Sequence, residues 1–216
     1  MFTKYGYTTI GTAAIVSFLL IVIGIFVNNN IIKISLFVIA ILLISFTLYF
    51  FRDPDRNPPQ INDIIVSPAD GRVLFIKEIV DNKFINEKAL LVSIFMSPLN
   101  VHVNRIPISG RIDYLQHFDG RYVAAFEEKA SDLNERTEIG ISCKYGKVFF
   151  TQVAGMVARR IINTLTVGDS VEISKRFGMI KFGSRVDVIV PLNWKEKVKK
   201  GESVVAGESI LFELKN

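Results

Sequence analysis

Two apolar runs near the start, Tyr7 to Val27 and Ile31 to Phe51, are 21 residues each and are separated only by Asn28, Asn29 and Asn30. Coiled as helices, runs of this length reach across about 30 Å of hydrocarbon, the thickness of a bilayer core. The spacing predicts a transmembrane helical hairpin over residues 1–51. A signal peptide would have a shorter apolar core ending at a small-residue cleavage site, and here a second run follows at once. Lys4, Arg52 and Arg56 flank the open end and Lys33 alone lies near the turn. Positive residues collect on the cytoplasmic side of membranes, so both ends of the hairpin, and everything after them, are expected in the cytoplasm.

The next segment, Phe51 to Pro59, carries three prolines among alternating charges. Proline blocks helix continuation, so a stiff extended linker is expected, its charges in water, with the globular part occupying 52–216. The single cysteine, Cys143, builds no internal disulfide and reads as a small buried or half-exposed thiol rather than a nucleophile. The 26 Lys and Arg against 21 Asp and Glu give a net charge of +5. That excess suits nucleic acid or an anionic membrane, and the two apolar runs decide for membrane. Trp194 with Lys195, Lys197, Lys199 and Lys200 reads either as a patch resting on anionic lipid heads or as a solvated loop.

From Ile64 onward the chain breaks into short apolar runs cut by turn residues. Strands are expected at Ile64–Val66, Val73–Ile76, Leu90–Phe95 and Arg111–Leu115. Pro68 to Val73 and Pro107 to Ile112 echo one another at a spacing of 39 residues, and Val198 to Gly201 with Val205 to Gly207 adds a further Gly-punctuated stretch. Such hairpins resemble the barrel-sandwich folds of lipoyl and biotinyl carrier domains. The fold class is therefore mainly β: a barrel-sandwich-hybrid-like domain behind a helical hairpin.

Candidate chemistry is sparse. His102 and His117 are the only histidines, so a neutral-pH general base comes from this pair unless a carboxylate or lysine with a shifted pKa serves. Gly183-Ser184 interrupts an alternating run, Phe182, Val186, Val188, Val190, where by itself it reads as a glycine bulge. Asp70, alone, reads as a turn aspartate bonded to its own backbone. No metal-ligand spacing, P-loop or dinucleotide fingerprint is present in the sequence, and no nucleic-acid partner is expected.

The whole segment Arg176 to Pro191, however, resembles the self-cleavage segment of the phosphatidylserine decarboxylases, in their short, pyruvoyl-dependent branch. Phe51 to Pro59, Ser93 to Pro107, Lys129 to Arg136 and Val153 to Ile161 continue the resemblance, with Arg159 and Arg160 suited to a lipid phosphate or to solvent. The resemblance implies that the Ser184 hydroxyl attacks the Gly183 carbonyl and turns the peptide into an ester. Elimination then cuts the chain, and the dehydroalanine left behind hydrolyses to a pyruvoyl group, the only cofactor implied. Residue types fit, since glycine tolerates unusual backbone angles and only a β-hydroxyl or thiol both attacks and leaves. A large chain, 1–183, and a small chain, 184–216, would remain together as a heterodimer. The substrate amine would form a Schiff base with the keto group, and phosphatidylserine would leave as phosphatidylethanolamine and CO2.

The same resemblance implies that Asp70 orients a histidine. Long-branch enzymes carry a second histidine three positions after the first, where this chain has Arg105. His117 is then expected to fill the missing role, with His102 protonating the substrate carbon or holding the site, and the two roles stay unassigned. Within the class, a serine-headgroup ether lipid such as archaetidylserine is an alternative substrate. From another class, the alternative is a membrane-tethered barrel-sandwich module that binds a partner without chemistry.

Overall fold

The computed structural model describes residues 1–120, 134–155, 160–181 and 184–215. Contacts divide the chain into two compact units, Met1–Asp55 and Arg56–Asn216.

The first unit is the helical hairpin, α1 (Tyr7–Phe26) and α2 (Asn30–Phe50). The three asparagines turn the chain because Asn29 caps α2, its side chain accepting from the amides of Ile31 and Ile32 at 2.9 and 3.3 Å. Small residues line the contact between the helices: Ala13 and Ser17 of α1 and Ala40 of α2 are buried, and the Ser17 hydroxyl donates to the Ala40 carbonyl at 3.1 Å. Small side chains let helix backbones approach closely where no hydrophobic force separates protein from lipid. The outward faces remain apolar and exposed, including Ile15, Phe18, Ile25 and Leu42. Both helices are long and apolar enough to cross a membrane, and the unit fits membrane association. Within the segment expected as a stiff linker with its charges in water, Phe51 to Asp53 is instead held against the start of the chain. The Phe51 carbonyl accepts from Thr3 at 3.0 Å, the Asp53 amide donates to Met1 at 2.8 Å, and both side chains are buried.

The second unit is built of strands: β1 (Ile64–Val66), β2 (Gly71–Asp81), β3 (Glu87–Met96), β4 (Val103–Arg105), β5 (Gly110–Phe118), β6 (Arg136–Cys143), β7 (Gly146–Ala154), β8 (Ile161–Asn163), β9 (Ser170–Val171), β10 (Arg176–Ile180), β11 (Ser184–Pro191), β12 (Trp194–Glu196), β13 (Ser203–Val204) and β14 (Ile210–Leu214). Each expected strand lies within one of these. Among the described residues an eight-stranded sheet runs β13-β2-β3-β11-β7-β6-β5-β9, and two three-stranded sheets run β1-β14-β12 and β4-β10-β8. The main core contains Ile94 and Val186 from the large sheet, Phe212 from β14 and Phe177 from β10. The fold is mainly β, its large sheet curled toward a half-barrel, as the Gly-punctuated pattern suggested.

The large sheet has two similar halves, and the sequence echo marks corresponding positions in them. Gly71 opens β2 and Gly110 opens β5, and a Cβ on either would lie 2.2 Å from the Phe95 carbonyl oxygen or 2.5 Å from that of Ser142. Each glycine is followed by a register shift, at Val73/Phe75 and at Ile112/Tyr114. Val73 then exchanges backbone bonds with Glu202 and Gly201, as Ile112 does with Asp169 and Gly168. Two similar halves thus flank the central pair β11 and β7.

Trp194 does not form the exposed patch that its neighbouring lysines suggested as one reading. It is buried in the main core, edge-on to Tyr145 at 5.8 Å, while Lys197 pairs with Glu213 at 2.6 Å.

Candidate active site

β11 is buried along all eight of its residues, because it lies between β3 and β7 and carries side chains into a packed layer on both faces. Ser184, Val186, Val188 and Val190 alternate onto one face. Arg185, Asp187 and Ile189 occupy the other, so a strand with two charges can still be wholly internal. Those charges answer each other. The Arg185 guanidinium holds both Asp187 oxygens at 3.0 Å, and the Ser93 hydroxyl, opposite Asp187 on β3, donates to that carboxylate at 2.6 Å.

Ser184 stands at the head of this strand, opposite Met96 on one side and Ala154 on the other. Its side chain is buried, and its Oγ lies 3.2 Å from the Met96 sulfur. A thioether is a weak acceptor, so the hydroxyl sits in a dry slot without a strong hydrogen bond. Gly183 lies outside the described residues, as do Lys129 to Leu133 and Met156 to Arg159 of the segments that continue the resemblance. Lys181, just before the described chain pauses, has its pKa pushed down by burial first and by the Arg160 charge second.

His102 is fully buried. Its Nδ1 is 2.9 Å from the Asn100 carbonyl, and its own carbonyl accepts from the Ile180 amide at 3.3 Å, at the end of the strand leading toward Ser184. His117 sits on β5, three strands from β11 in the order β11-β7-β6-β5, about 14 Å along the sheet at ordinary strand spacing. Its Nδ1 lies 2.9 Å from Thr137 Oγ1, and it borders a cleft of about 320 Å³ with Leu115, Thr137, Ile161, Asn163 and Leu165. Ile161 of that cleft pairs with Ile180, the residue whose amide bonds the His102 carbonyl.

Asp70 is elsewhere engaged. Arg56 grips both of its oxygens at 3.0 and 2.9 Å, and the Ala206 amide donates to it at 2.8 Å. Among the described residues neither imidazole hydrogen-bonds to it.

Sequence reasoning passed over a polar group on the Ser184 face. Gln152 pairs with Val186 on β11 and Thr137 on β6, is fully buried, and donates from Nε2 to Asn104 Oδ1 at 2.9 Å. The signal was present: along β7, Val148, Phe150 and Ala154 face the core, and a glutamine breaks that inward series.

The structure therefore combines an apolar helical hairpin with a mainly β unit whose central strand begins at a buried serine, with His102 bonded to the end of β10 and His117 about 14 Å along the sheet. The relatives make the class specific. A family model described as phosphatidylserine decarboxylase matches residues 43–212. The phosphatidylserine decarboxylase proenzyme of Chlorobium limicola is 46% identical over 211 residues, covering 98% of this chain and 99% of that protein. Those of Prosthecochloris aestuarii, 43% identical over 216 residues, and Chlorobaculum tepidum, 45% over 172, are similar to it as well. The chain belongs to the phosphatidylserine decarboxylase family.

Proposed function

We propose that the chain is a proenzyme that cuts itself between Gly183 and Ser184 and then converts phosphatidylserine to phosphatidylethanolamine and CO2. The observation that carries the reading is the placement of Ser184: a buried hydroxyl, weakly bonded, at the first position of the central strand, in a chain that matches this family over nearly its whole length.

The slot fits a pyruvoyl group derived from that serine. Ala154 opposite residue 184 leaves room, Met96 supplies a soft, apolar wall, and the backbone ladder on both sides fixes the position. Once formed, the group supplies a keto carbon for the substrate amine and a conjugated carbonyl that takes up the electron pair released with CO2.

The chain's own residues do the rest. His102, buried beside the strand that runs into Ser184, is the group best placed to take the serine proton. His117, at the rim of the cleft, is placed to return a proton to the substrate carbon. The bonds of Asp70 to Arg56 and the Ala206 amide support a positioning part for it in the scaffold. A cut before Ser184 would leave β11 to β14 in the small chain, where β11 pairs with β3 over eight residues and β14 pairs with β1, which supports a heterodimer that stays assembled. Residues 1–51 serve as the membrane anchor and 52–216 as the decarboxylase domain. Lys4, Arg52 and Arg56 against Lys33 support a cytoplasmic position for that domain.

The test is an intact-mass measurement paired with CO2 release from phosphatidylserine vesicles. Two chains and CO2 are expected from the wild type, and one chain without CO2 from Ser184→Ala. A one-chain wild type, or an active Ser184→Ala, would overturn the proposal.

A further inference from the structure

Two buried side-chain amide atoms have no hydrogen-bond partner among the described residues: Gln152 Oε1 and Asn163 Nδ2. Native interiors seldom leave such atoms unpaired, and those that are unpaired call for an explanation. Their orientations are fixed by their neighbours. The Pro68 carbonyl only accepts, so Asn104 turns Nδ2 toward it, at 3.4 Å, and Oδ1 toward Gln152. Gln152 must then present Nε2 to Asn104, which leaves Oε1 as the unanswered acceptor. Asn163 accepts the Leu165 amide on Oδ1 at 2.7 Å, which leaves Nδ2 as the unanswered donor.

Sheet register puts Gln152 on the Ser184 face, and Gly178 of β10 lies between it and Asn163. Gln152 and Ala154 are successive inward residues of β7, and Ala154 is opposite Ser184. Diagonal neighbours of this kind are about 7–8 Å apart between Cα atoms, within reach of a glutamine side chain. Above them, Gly178 of β10 is paired with Asn104 on one side and with Asn163 on the other. A Cβ at Gly178 would lie 3.3 Å from Gln152 Nε2 and 2.1 Å from the Ile162 carbonyl, so only glycine leaves the space between the asparagines open. Asn163 and Thr137, the latter opposite Gln152 on β6, both line the cleft that His117 borders.

We propose that Gln152 and Asn163 read the polar head group of the substrate. Gln152 Oε1 accepts an N–H of the head-group amine on its way to residue 184, and Asn163 Nδ2 donates to an acid oxygen of the same head group. An acceptor on Gln152 and a donor on Asn163 match a primary amine carrying an acid, and Oε1 has nothing to accept from a quaternary ammonium. This inference rests on the decarboxylase reading, because it takes residue 184 as the point to which the amine is delivered.

The experiment uses processed full-length protein treated with borohydride in the absence of lipid. Hydride adds to the keto carbon and water protonates the oxygen, so the group becomes an alcohol and head groups bind without reacting. Binding of glycerophosphoserine, glycerophosphoethanolamine and glycerophosphocholine is then measured by titration calorimetry on wild type, Gln152→Leu, Gln152→Glu and Asn163→Leu. The wild type is expected to prefer the serine and ethanolamine head groups over choline by about ten- to a hundredfold, the usual discrimination of one hydrogen bond to a charged group. Gln152→Leu should abolish that preference and Gln152→Glu, which keeps an acceptor, should retain it. Asn163→Leu should weaken serine alone if the acid oxygen belongs to the carboxylate, or all three head groups equally if it belongs to the phosphate. The ratio between head groups is read within one sample, so a partly folded variant still reports. A wild-type ratio in Gln152→Leu, or undiminished affinity for all three head groups in Asn163→Leu, would overturn the inference while self-cleavage and CO2 release, which report on the underlying reading, proceed. A wild type that does not cleave would fail that reading instead.

Discussion

Ser184 and Met96 face each other across the β3–β11 ladder, the serine oxygen 3.2 Å from the methionine sulfur and both side chains fully buried. The hydroxyl is thus kept from water without being committed to a strong acceptor. Ser184→Ala is expected to remain one chain on a denaturing gel and to release no CO2. Ser184→Cys should cleave more slowly than the wild type, since a thiolate also attacks a carbonyl but the slot is shaped for oxygen. Met96→Leu keeps the slot apolar and should leave cleavage within about tenfold of wild type. A Ser184→Ala protein that separates into two chains would show that the cut lies elsewhere.

The two histidines should divide the work. The sequence expectation gave the role of the missing histidine to His117, whereas the strand order puts two strands, β7 and β6, between His117 and Ser184. His102 is bonded through its carbonyl to the strand that ends just before Ser184. His102→Ala is therefore expected to slow self-cleavage by about a hundred- to ten-thousandfold, the usual range for a general base. His117→Ala should cleave normally and lose turnover. Time courses of chain cutting and CO2 release, followed on the same samples, separate the two effects, and the opposite pattern would exchange the roles.

Much of this arrangement was legible in the residues, and the illegible parts have physical reasons. The hairpin was readable because bilayer thickness sets run length. The repeat at Gly71 and Gly110 was readable because a carbonyl crowds both positions and only glycine fits. Its continuation was not. Gly207 has φ +76 and its counterpart in the other half is Ser174, with φ +67, so the same backbone shape lacks the same letter. Arg56 looked like a solvated linker charge, since nothing local announces a bidentate partner that lies fourteen positions along the chain. For Asp70 the resemblance implied a histidine to orient, while its carboxylate is bonded by Arg56 and the Ala206 amide; sequence order does not say which of several opposite charges arrives first.

The Arg56–Asp70 pair permits a clean separation of scaffold from catalysis. Both side chains are mostly buried, at 14% and 13% exposure, so the pair is worth more than a surface ion pair. Asp70→Ala should destabilise the protein by about 1–3 kcal/mol. Combined with His102→Ala, it should add independently to the loss in cleavage rate. Strong non-additivity in that cycle would instead restore the carboxylate to the imidazole it was first assigned to.

Cys143 should behave as a structural thiol. Burial pushes its pKa up, against smaller opposing contributions from the Tyr145 backbone and Lys144, and its Sγ donates to the Gly146 carbonyl at 3.2 Å. A raised pKa means less thiolate at any given pH below it. Iodoacetamide at pH 8 is therefore expected to modify Cys143 more slowly than free glutathione, with the difference narrowing as pH rises. Faster modification than glutathione would identify an activated thiol. Cys143→Ala should retain both cleavage and turnover.

The last expectation concerns what keeps residue 184 in place once the chain is cut. Arg185, Asp187 and Ser93 lock one register of β11, because a slip by one residue would drive both charges into the face now occupied by Val186, Val188 and Val190. Asp187→Ala leaves the Arg185 guanidinium buried beside Ser93 with its counter-charge gone, and loss of one partner from a buried pair costs about 3–5 kcal/mol. The double change Arg185→Met with Asp187→Leu removes both charges, so it should regain most of that stability in thermal unfolding. It should not regain function in proportion. With the charges gone, the valine face alone specifies register, and the small chain is held by packing that tolerates a two-residue shift, which keeps the same face inward but moves residue 184 away from Met96 and Ala154. The double variant is thus expected to fold and keep its small chain on size-exclusion chromatography while losing turnover. Full turnover in that variant would show that hydrophobic packing and the ladder suffice to hold the cut end.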